Sequence, residues 1–555
     1  MVLNRLFFWF RRKLSSQNRN DLPASDHRVI CFVFKVNRRF AVSKPKIQLF
    51  HATIVICAVV GALGVWAPEG LAAVSSSLTG AAFRAADWFF MATVTGFLIV
   101  AAYAAFGPYS RIRLGPDDAR PEFSTLSWLS MLFAAGMGVG LLFWGAAEPL
   151  HHFTENMTGL KASPEAARQS FVITGLHWGL HAWAIYGIAA LVIGYFGFRK
   201  GKASLPSSPI SAVFKGKWVR PVSTLSDGLA VVAIAFGVAG SIGMGIFQLH
   251  AGMHVVFGVP AESVATDVVI LAVLFVAYMT SASTSLDKGI QILSNLNMIV
   301  ALLLLLFVLV AGPTSFLLRT FVTAIGDYLT ALPRMSLSLY PYQESRGWLS
   351  SWTLTYFIWW IAWAPFVGVF IARISKGRTI REFILGVLLM PTLFSMLWFS
   401  VFGGTALHEE MFGGGGLVTL VREDVSLALF SLFDRLPMSG LLSATSLMLV
   451  FIFLVTSVDS ATFVLGMLTS NGSDNPSTKR KLGWGITLAV LGGALMLSGN
   501  LHAVRAVSVS GAIPFTLVMV LQVVAFLRTI RAERLDAVDE QNDAMAEDAT
   551  TQEAA

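Results

Sequence analysis

The sequence predicts an all-α integral membrane protein, a single bundle of 12 transmembrane helices with a polar tail at each end. Three observations predict it. Only 13% of the 555 residues are charged, 55% are hydrophobic and the mean hydropathy is +0.68, whereas a water-soluble chain carries about a quarter charged residues. Apolar runs follow one another almost without a break from residue 47 to 527. Finally, 31 of the 40 Lys and Arg residues fall in alternate connecting segments, the asymmetry by which cytoplasmic loops are recognised.

The elements follow in order. Residues 1–46 carry 11 basic residues. Their aromatic stretch, LNRLFFWF at 3–10, precedes Arg11, Arg12 and Lys13, the reverse of the order in a secretory signal. The segment is expected to be a disordered, basic cytoplasmic tail. A membrane-crossing helix needs about 20 largely apolar residues, and such runs lie near 48–66, 88–106, 127–147, 171–198, 228–256, 264–281, 296–316, 352–374, 380–402, 439–466, 483–498 and 504–527. They make one 12-helix domain over 47–527. Amphipathic stretches at 315–340 and 424–435 are expected along the outer interface. Residues 528–555, rich in Asp, Glu and Ala, are expected to be a disordered acidic tail. An even number of spans puts both termini on one side, and the charge bias makes that side the cytoplasm of a bacterial inner membrane. Two cysteines, Cys31 and Cys57, exclude a disulfide scaffold. The net charge of +8 does not point to nucleic acid, because the basic residues follow the membrane rather than forming one patch.

Two spans are chemically unusual. The third contains Ala134-Ala135-Gly136-Met137-Gly138-Val139-Gly140. Each glycine costs about 1 kcal/mol relative to alanine in a helix, so local unwinding is expected, and unwound backbone at that depth must be packed in protein or line a cavity. The eighth contains Trp359-Trp360-Ile361-Ala362-Trp363-Ala364-Pro365, where proline removes a backbone hydrogen bond and is expected to kink the helix. These spans are five apart, so each opens a five-helix half, helices 3–7 and 8–12, and the odd number inverts the second half. Broken helices at corresponding places in two inverted halves point to a midplane transport site. Glycines that merely permit close helix packing would leave the proline unexplained.

The fourth span carries His177-Trp178-Gly179-Leu180-His181-Ala182-Trp183-Ala184-Ile185-Tyr186. On a continuous helix Trp183 and Tyr186 lie about 60° apart and Trp178 about 80° from Tyr186. In the eighth span Trp359 and Trp363 are expected to stack one turn apart, with Trp360 on an adjacent face. Tryptophan normally gathers at membrane interfaces. Several at mid-helix fit a quaternary ammonium, which has no N–H to donate but binds well to aromatic faces. The three spans contain no Asp or Glu within 127–147, 171–198 or 352–374. A pure cation such as choline would want a carboxylate there. A zwitterion wants an anion receptor instead, and backbone N–H groups of the Gly136–Gly140 stretch can provide one. His177 and His181 have zinc-helix spacing, but Trp178 stands where the glutamate of a zinc protease would be and no third ligand is evident, so both read as packing histidines. In the tenth span, Thr456 and Ser457 either back-bond to the preceding turn or contribute to an oxygen shell for sodium.

At these residues a resemblance is plain. Ala135–Pro149 (AGMGVGLLFWGAAEP), the aromatic run of the fourth span, the eighth span with its downstream ISKGRTIREF, and Thr456–Ser460 resemble the betaine/choline/carnitine transporter family over about 45–530. The resemblance implies a LeuT-like inverted-repeat fold, a homotrimer and alternating access. It implies an ammonium box of Trp178, Trp183, Tyr186 and Trp360, with Trp363 as accessory aromatic and Gly136, Met137, Gly138 and Gly140 facing the carboxylate. It also implies a sodium site of Ala134, Met137 and Phe453 carbonyls with the Thr456 and Ser457 hydroxyls. There are departures. Ile234 and Val238 stand where two threonines form a second sodium site in sodium-coupled betaine carriers, so a two-sodium stoichiometry does not carry over. Gly140 stands where proton-coupled choline carriers have an acidic residue. No basic residue occupies 221–287 except Lys-free flanks at its ends, so the sodium-independent exchangers are not matched, and the acidic tail does not match basic osmosensing tails.

The sequence therefore leads to the expectation of a sodium-coupled symporter for a small quaternary-ammonium zwitterion, glycine betaine or a related compatible solute in osmoprotection, with no enzyme activity and no organic cofactor. The rivals are proton-coupled choline uptake with Asp459 as the titrating group, and a membrane enzyme acting on headgroups, for which no acid–base pair or metal cluster is seen at a membrane face.

Overall fold

The computed structural model describes residues 47–136, 138–283, 287–342, 345–499 and 501–553; the tail expected over 1–46, and Met137, lie outside them. The described chain is helical throughout: α1 Ile47–Trp66, α2 Pro68–Phe106, α3 Thr125–Gly136, α4 Val139–Thr154, α5 Pro164–Trp178, α6 Leu180–Gly194, α7 Ser207–Val213, α8 Val219–Phe257, α9 Val264–Ser283, α10 Asp287–Ala311, α11 Thr314–Met335, α12 Arg346–Leu349, α13 Thr355–Ile374, α14 Ile380–Phe412, α15 Leu417–Glu423, α16 Ala428–Phe433, α17 Ser439–Leu468, α18 Thr478–Leu497, α19 Leu501–Ser510 and α20 Ile513–Glu553. π-helical turns occupy Tyr195–Arg199 and Ser350–Leu354. Among the described residues eleven segments are long and apolar enough to cross a membrane. The third expected span is the twelfth, divided into α3 and α4.

The interruptions follow local chemistry. Gly138 is fully extended (φ −158°, ψ 179°) between α3 and α4, in the glycine-rich stretch where unwinding was expected. A second break was not expected: Gly179 (φ −100°, ψ −136°) ends α5 at Trp178 and starts α6 at Leu180. The freed amide of Leu180 donates to the Tyr328 hydroxyl of α11 at 3.0 Å, so a residue far away in the chain satisfies the gap. The eighth span departs from expectation in the other direction. Its helix continues through Pro365, and its irregular segment is the π turn at Ser350–Leu354. Pro365 forfeits one hydrogen bond, but with Ala364 and Phe366 it is packed inside the protein, and that packing holds the helical path. The acidic segment after residue 528, expected to be disordered, continues α20 to Glu553; Ala, Glu, Gln and Met are good helix formers without any core to bury.

Burial separates central from peripheral spans. The apolar window of the α5–α6 span is 89% buried and that of α8 83%, against 28% for α1 and 22% for α9. The exposed side chains of α9 are Val264, Val268, Val269, Val273 and Val276, an apolar face suited to lipid. At the centre α13 packs most extensively on α6. Gly368 makes this possible, since a Cβ there would come within 3.0 Å of the Ala189 Cβ. Helix α14 begins with a capping box in which Thr379 and Glu382 each accept from the other's amide.

Candidate functional site

A cavity of about 280 Å³ lies where α4, α5, α6, α8, α13 and α17 meet. Its aromatic wall is built around Trp360. The Trp360 ring lies 5.5 Å from Trp178, 4.8 Å from Tyr186 and 6.1 Å from Trp183 between centroids, and Trp183 lies 5.7 Å from Tyr186. The four expected box residues therefore come together. Three of them, with Trp363, line the cavity. Trp183 does not; 1% exposed, it backs Trp360 and Tyr186 from behind. Trp359 also lines the cavity, packing on Tyr356 at 6.0 Å, while Trp363 packs on Phe366 at 5.5 Å. The expected Trp359–Trp363 stack is thus replaced by two separate pairs, because residues four apart on α13 face different neighbours.

The opposite wall is backbone. Gly138, Val139 and Gly140 line the same cavity, and α4 begins there without a side-chain cap. The first amides of a helix have no intrahelical partner, and the helix dipole makes that end attractive to an anion. Gly140 also sets the position of Trp178, since a Cβ at 140 would lie 2.9 Å from the Trp178 Cη2. Gly136 ends α3 and Ala134 lies in its last turn, where carbonyls likewise lack partners. Phe453, Thr456 and Ser457 of α17 line the cavity too. The Thr456 hydroxyl donates to the carbonyls of Ile452 (3.0 Å) and Phe453 (3.2 Å), the back-bonding anticipated for that span, and its lone pairs stay available. Ile234 and Val238 are buried and bring no oxygen, whereas Ser241, one turn further along α8, lines the cavity.

Behind the cage lies a group the span-by-span count missed. Glu148, one residue past the limit given to the third span, is 0% exposed. Its Oε2 accepts from Trp178 Nε1 at 2.7 Å and from the Tyr356 hydroxyl, and its Oε1 lies 2.7 Å from His177 Nδ1 and 3.4 Å from His152 Nε2. His177 therefore pairs with Glu148 and Thr353, not with His181, which stacks on Phe357. Glu148, His152 and His177 bring their ligand-type atoms within 4.8 Å of one another, but all three are fully buried and the Glu148–His177 contact is a hydrogen bond. Tyr356 was also missed, although the spacing Trp352, Tyr356, Trp360 carried the signal. Asp459 is not among the residues that line the cavity.

A family model described as the betaine/carnitine/choline family transporter matches residues 48–535. The chain belongs to this family. It is 41% identical over 489 residues to a glycine betaine transporter, OpuD, of Bacillus subtilis (strain 168), covering 88% of this chain and 95% of that protein. It is 38% identical over 485 residues to an ectoine/hydroxyectoine transporter of Virgibacillus pantothenticus, covering 87% and 96%. A glycine betaine transporter of Acinetobacter baylyi (strain ATCC 33305 / BD413 / ADP1) is 38% identical over 509 residues, covering 91% and 76%. As a betaine/carnitine/choline transporter the chain is a multi-pass membrane protein with a LeuT-like fold, and a transporter rather than an enzyme. Within that family fold, the interrupted third span and the aromatic eighth span bound one cavity at the centre of the bundle.

Proposed function

We propose that this transporter takes up a small zwitterion with a quaternary ammonium group, glycine betaine or a related compatible solute, by sodium-coupled alternating access. The observation that carries the reading is the convergence of Trp178, Tyr186 and Trp360 on one cavity whose other wall is the uncapped start of α4. The aromatic faces suit the onium head, each contributing on the order of 1–2 kcal/mol in a desolvated site. The amides at Val139 and Gly140 suit the carboxylate. Glu148 adds negative charge behind the cage, but its oxygens are engaged by Trp178, Tyr356 and His177, so it reinforces the cage without contacting the solute.

Sodium fits beside this site. The end carbonyls of α3, including Ala134, and the hydroxyls of Thr456 and Ser457 offer oxygens only, the donor set of a hard cation; Met137 falls outside the described residues. One ion bridging α3 and α17 would couple the two halves of the repeat. The cavity continues along α13 to Phe370, toward the Lys- and Arg-containing 375–381 connection, which the charge bias assigns to the cytoplasm; this geometry corresponds to an inward-facing state. The same bias supports an inner-membrane location with both termini cytoplasmic and residues 1–46 as a cytoplasmic tail, and membership of the family supports a homotrimer.

Proteoliposome uptake tests the reading. A sodium gradient drives glycine betaine or ectoine accumulation, and replacing sodium with potassium abolishes it. Unchanged uptake driven by a pH gradient overturns the coupling, and choline preference over betaine overturns the substrate.

A further inference from the structure

A second, larger cavity of about 1410 Å³ lies beyond the N-terminal end of α13. It is separated from the first by the stacked rings of Trp352 and Tyr356, 6.1 Å apart at 12°. At its floor is Arg505 of α19, counted in the sequence as an outer-loop residue but placed by the fold among aromatics. The guanidinium lies 4.3 Å from the ring of Trp144 and 5.1 Å from that of Trp352.

The two indole faces offset the positive charge but accept no in-plane hydrogen bonds. Arg505 Nη2 is buried with no acceptor among the described residues, and so is Nε1 of the neighbouring Trp144, itself 1% exposed. Carboxylates that share the cavity are committed elsewhere: Glu155 to Arg422, Asp267 to His250 and Asp424 to the amide of Ser426. Among the described residues no acidic side chain forms an ion pair with Arg505. Two buried donors face a water-sized opening without an acceptor between them, an arrangement that asks for an anion bearing two oxygens.

We propose that Arg505 and Trp144 form an outer carboxylate subsite, which holds the zwitterionic solute by its carboxylate before it passes the Trp352–Tyr356 barrier to the inner cage. This rests on the reading of the substrate as a carboxylate-bearing zwitterion. Arg505 selects for the carboxylate at the entrance, whereas the cage selects for the onium; a solute lacking either group fails at one of two sequential stations.

The test uses the full-length transporter in lipid nanodiscs, with glycine betaine titrated calorimetrically at saturating sodium into the wild type, Trp360→Ala, Arg505→Gln and the double variant. Trp360→Ala is expected to leave a residual site about 10- to 100-fold weaker, which 3,3-dimethylbutanoate, a carboxylate without an onium, displaces. Adding Arg505→Gln weakens that residual site at least about tenfold further. Arg505→Gln alone raises the KM of uptake about fivefold while leaving equilibrium binding in the cage within about twofold. Arg505→Lys, which keeps the charge but not the fork, gives an intermediate KM and controls for folding. Equal residual binding in Trp360→Ala and the double variant overturns the subsite, as does residual heat that follows chloride, lost in gluconate buffer, instead of the carboxylate. Absence of betaine binding in the wild type sinks the substrate reading itself, and the two failures are thereby distinct.

Discussion

The indole Nε1 of Trp178 lies 2.7 Å from Oε2 of Glu148, a fully buried carboxylate one helix away. This bond fixes the ring that forms one face of the cage, and it places negative charge at the edge of an indole whose face points into the cavity. Glu148→Gln keeps the shape and loses the charge. It is expected to lower betaine affinity about tenfold, about 1.4 kcal/mol, with little change in melting temperature. Glu148→Ala leaves Trp178, Tyr356 and His177 unpaired and is expected to destabilise the fold by about 3–5 kcal/mol. Calorimetric binding and thermal melting of the two variants separate the effects.

Trp360 touches the other three box residues, and Trp183 touches only the back of the box. Trp360→Ala is expected to weaken betaine by one to two orders of magnitude, about 2 kcal/mol. Trp183→Phe, which keeps an aromatic support, is expected to change affinity less than about threefold. Equal losses in the two variants, read by tryptophan-fluorescence titration, would show that Trp183 contacts the solute directly.

Gly140 has no room for a side chain. A Cβ there sits 2.9 Å from the rigid six-membered ring of Trp178, so Gly140→Ala must displace the cage wall, at about 1–3 kcal/mol of overpacking. Betaine binding is expected to fall about tenfold or more, and a Gly140→Ala variant that binds normally in a direct titration would mean the wall is free to move.

Thr456 and Ser457 are the side-chain oxygens available to an ion beside α3. Thr456→Ala and Ser457→Ala are each expected to raise the sodium concentration for half-maximal uptake at least about tenfold, with betaine binding restored at high sodium. Uptake measured against sodium concentration reads this; an unchanged sodium dependence removes α17 from the ion site.

Tyr328 closes the break after Trp178 by accepting from the amide of Leu180 at 3.0 Å. Tyr328→Phe leaves a buried N–H unsatisfied, a cost of about 1–3 kcal/mol. A lower melting temperature with a smaller relative change in sodium dependence is the expected result.

Much of this was legible along the chain. The spans were readable because an apolar run of membrane length has a single favourable outcome, and the cage residues because tryptophan at mid-span is out of place. The glycine run marked the break at 138 because three weak helix formers stand together. Other features carried no such mark. Gly179 is one glycine among many, and its break depends on Tyr328 arriving from α11. Pro365 looked like a kink, and neighbouring helices hold it straight. Glu148 fell just beyond a boundary drawn on hydropathy, and Arg505 was assigned to a loop.

The sequence by itself determined that the chain spans a membrane repeatedly, which side its loops face by charge, and which residue types are available to hold an onium, because composition, period and charge bias are local properties. Only the tertiary structure decided that Glu148 lies behind Trp178, that Trp183 supports rather than lines the cavity, and that Arg505 meets Trp144. Those relations join residues far apart in the chain, and they exist only once separate helices pack side by side.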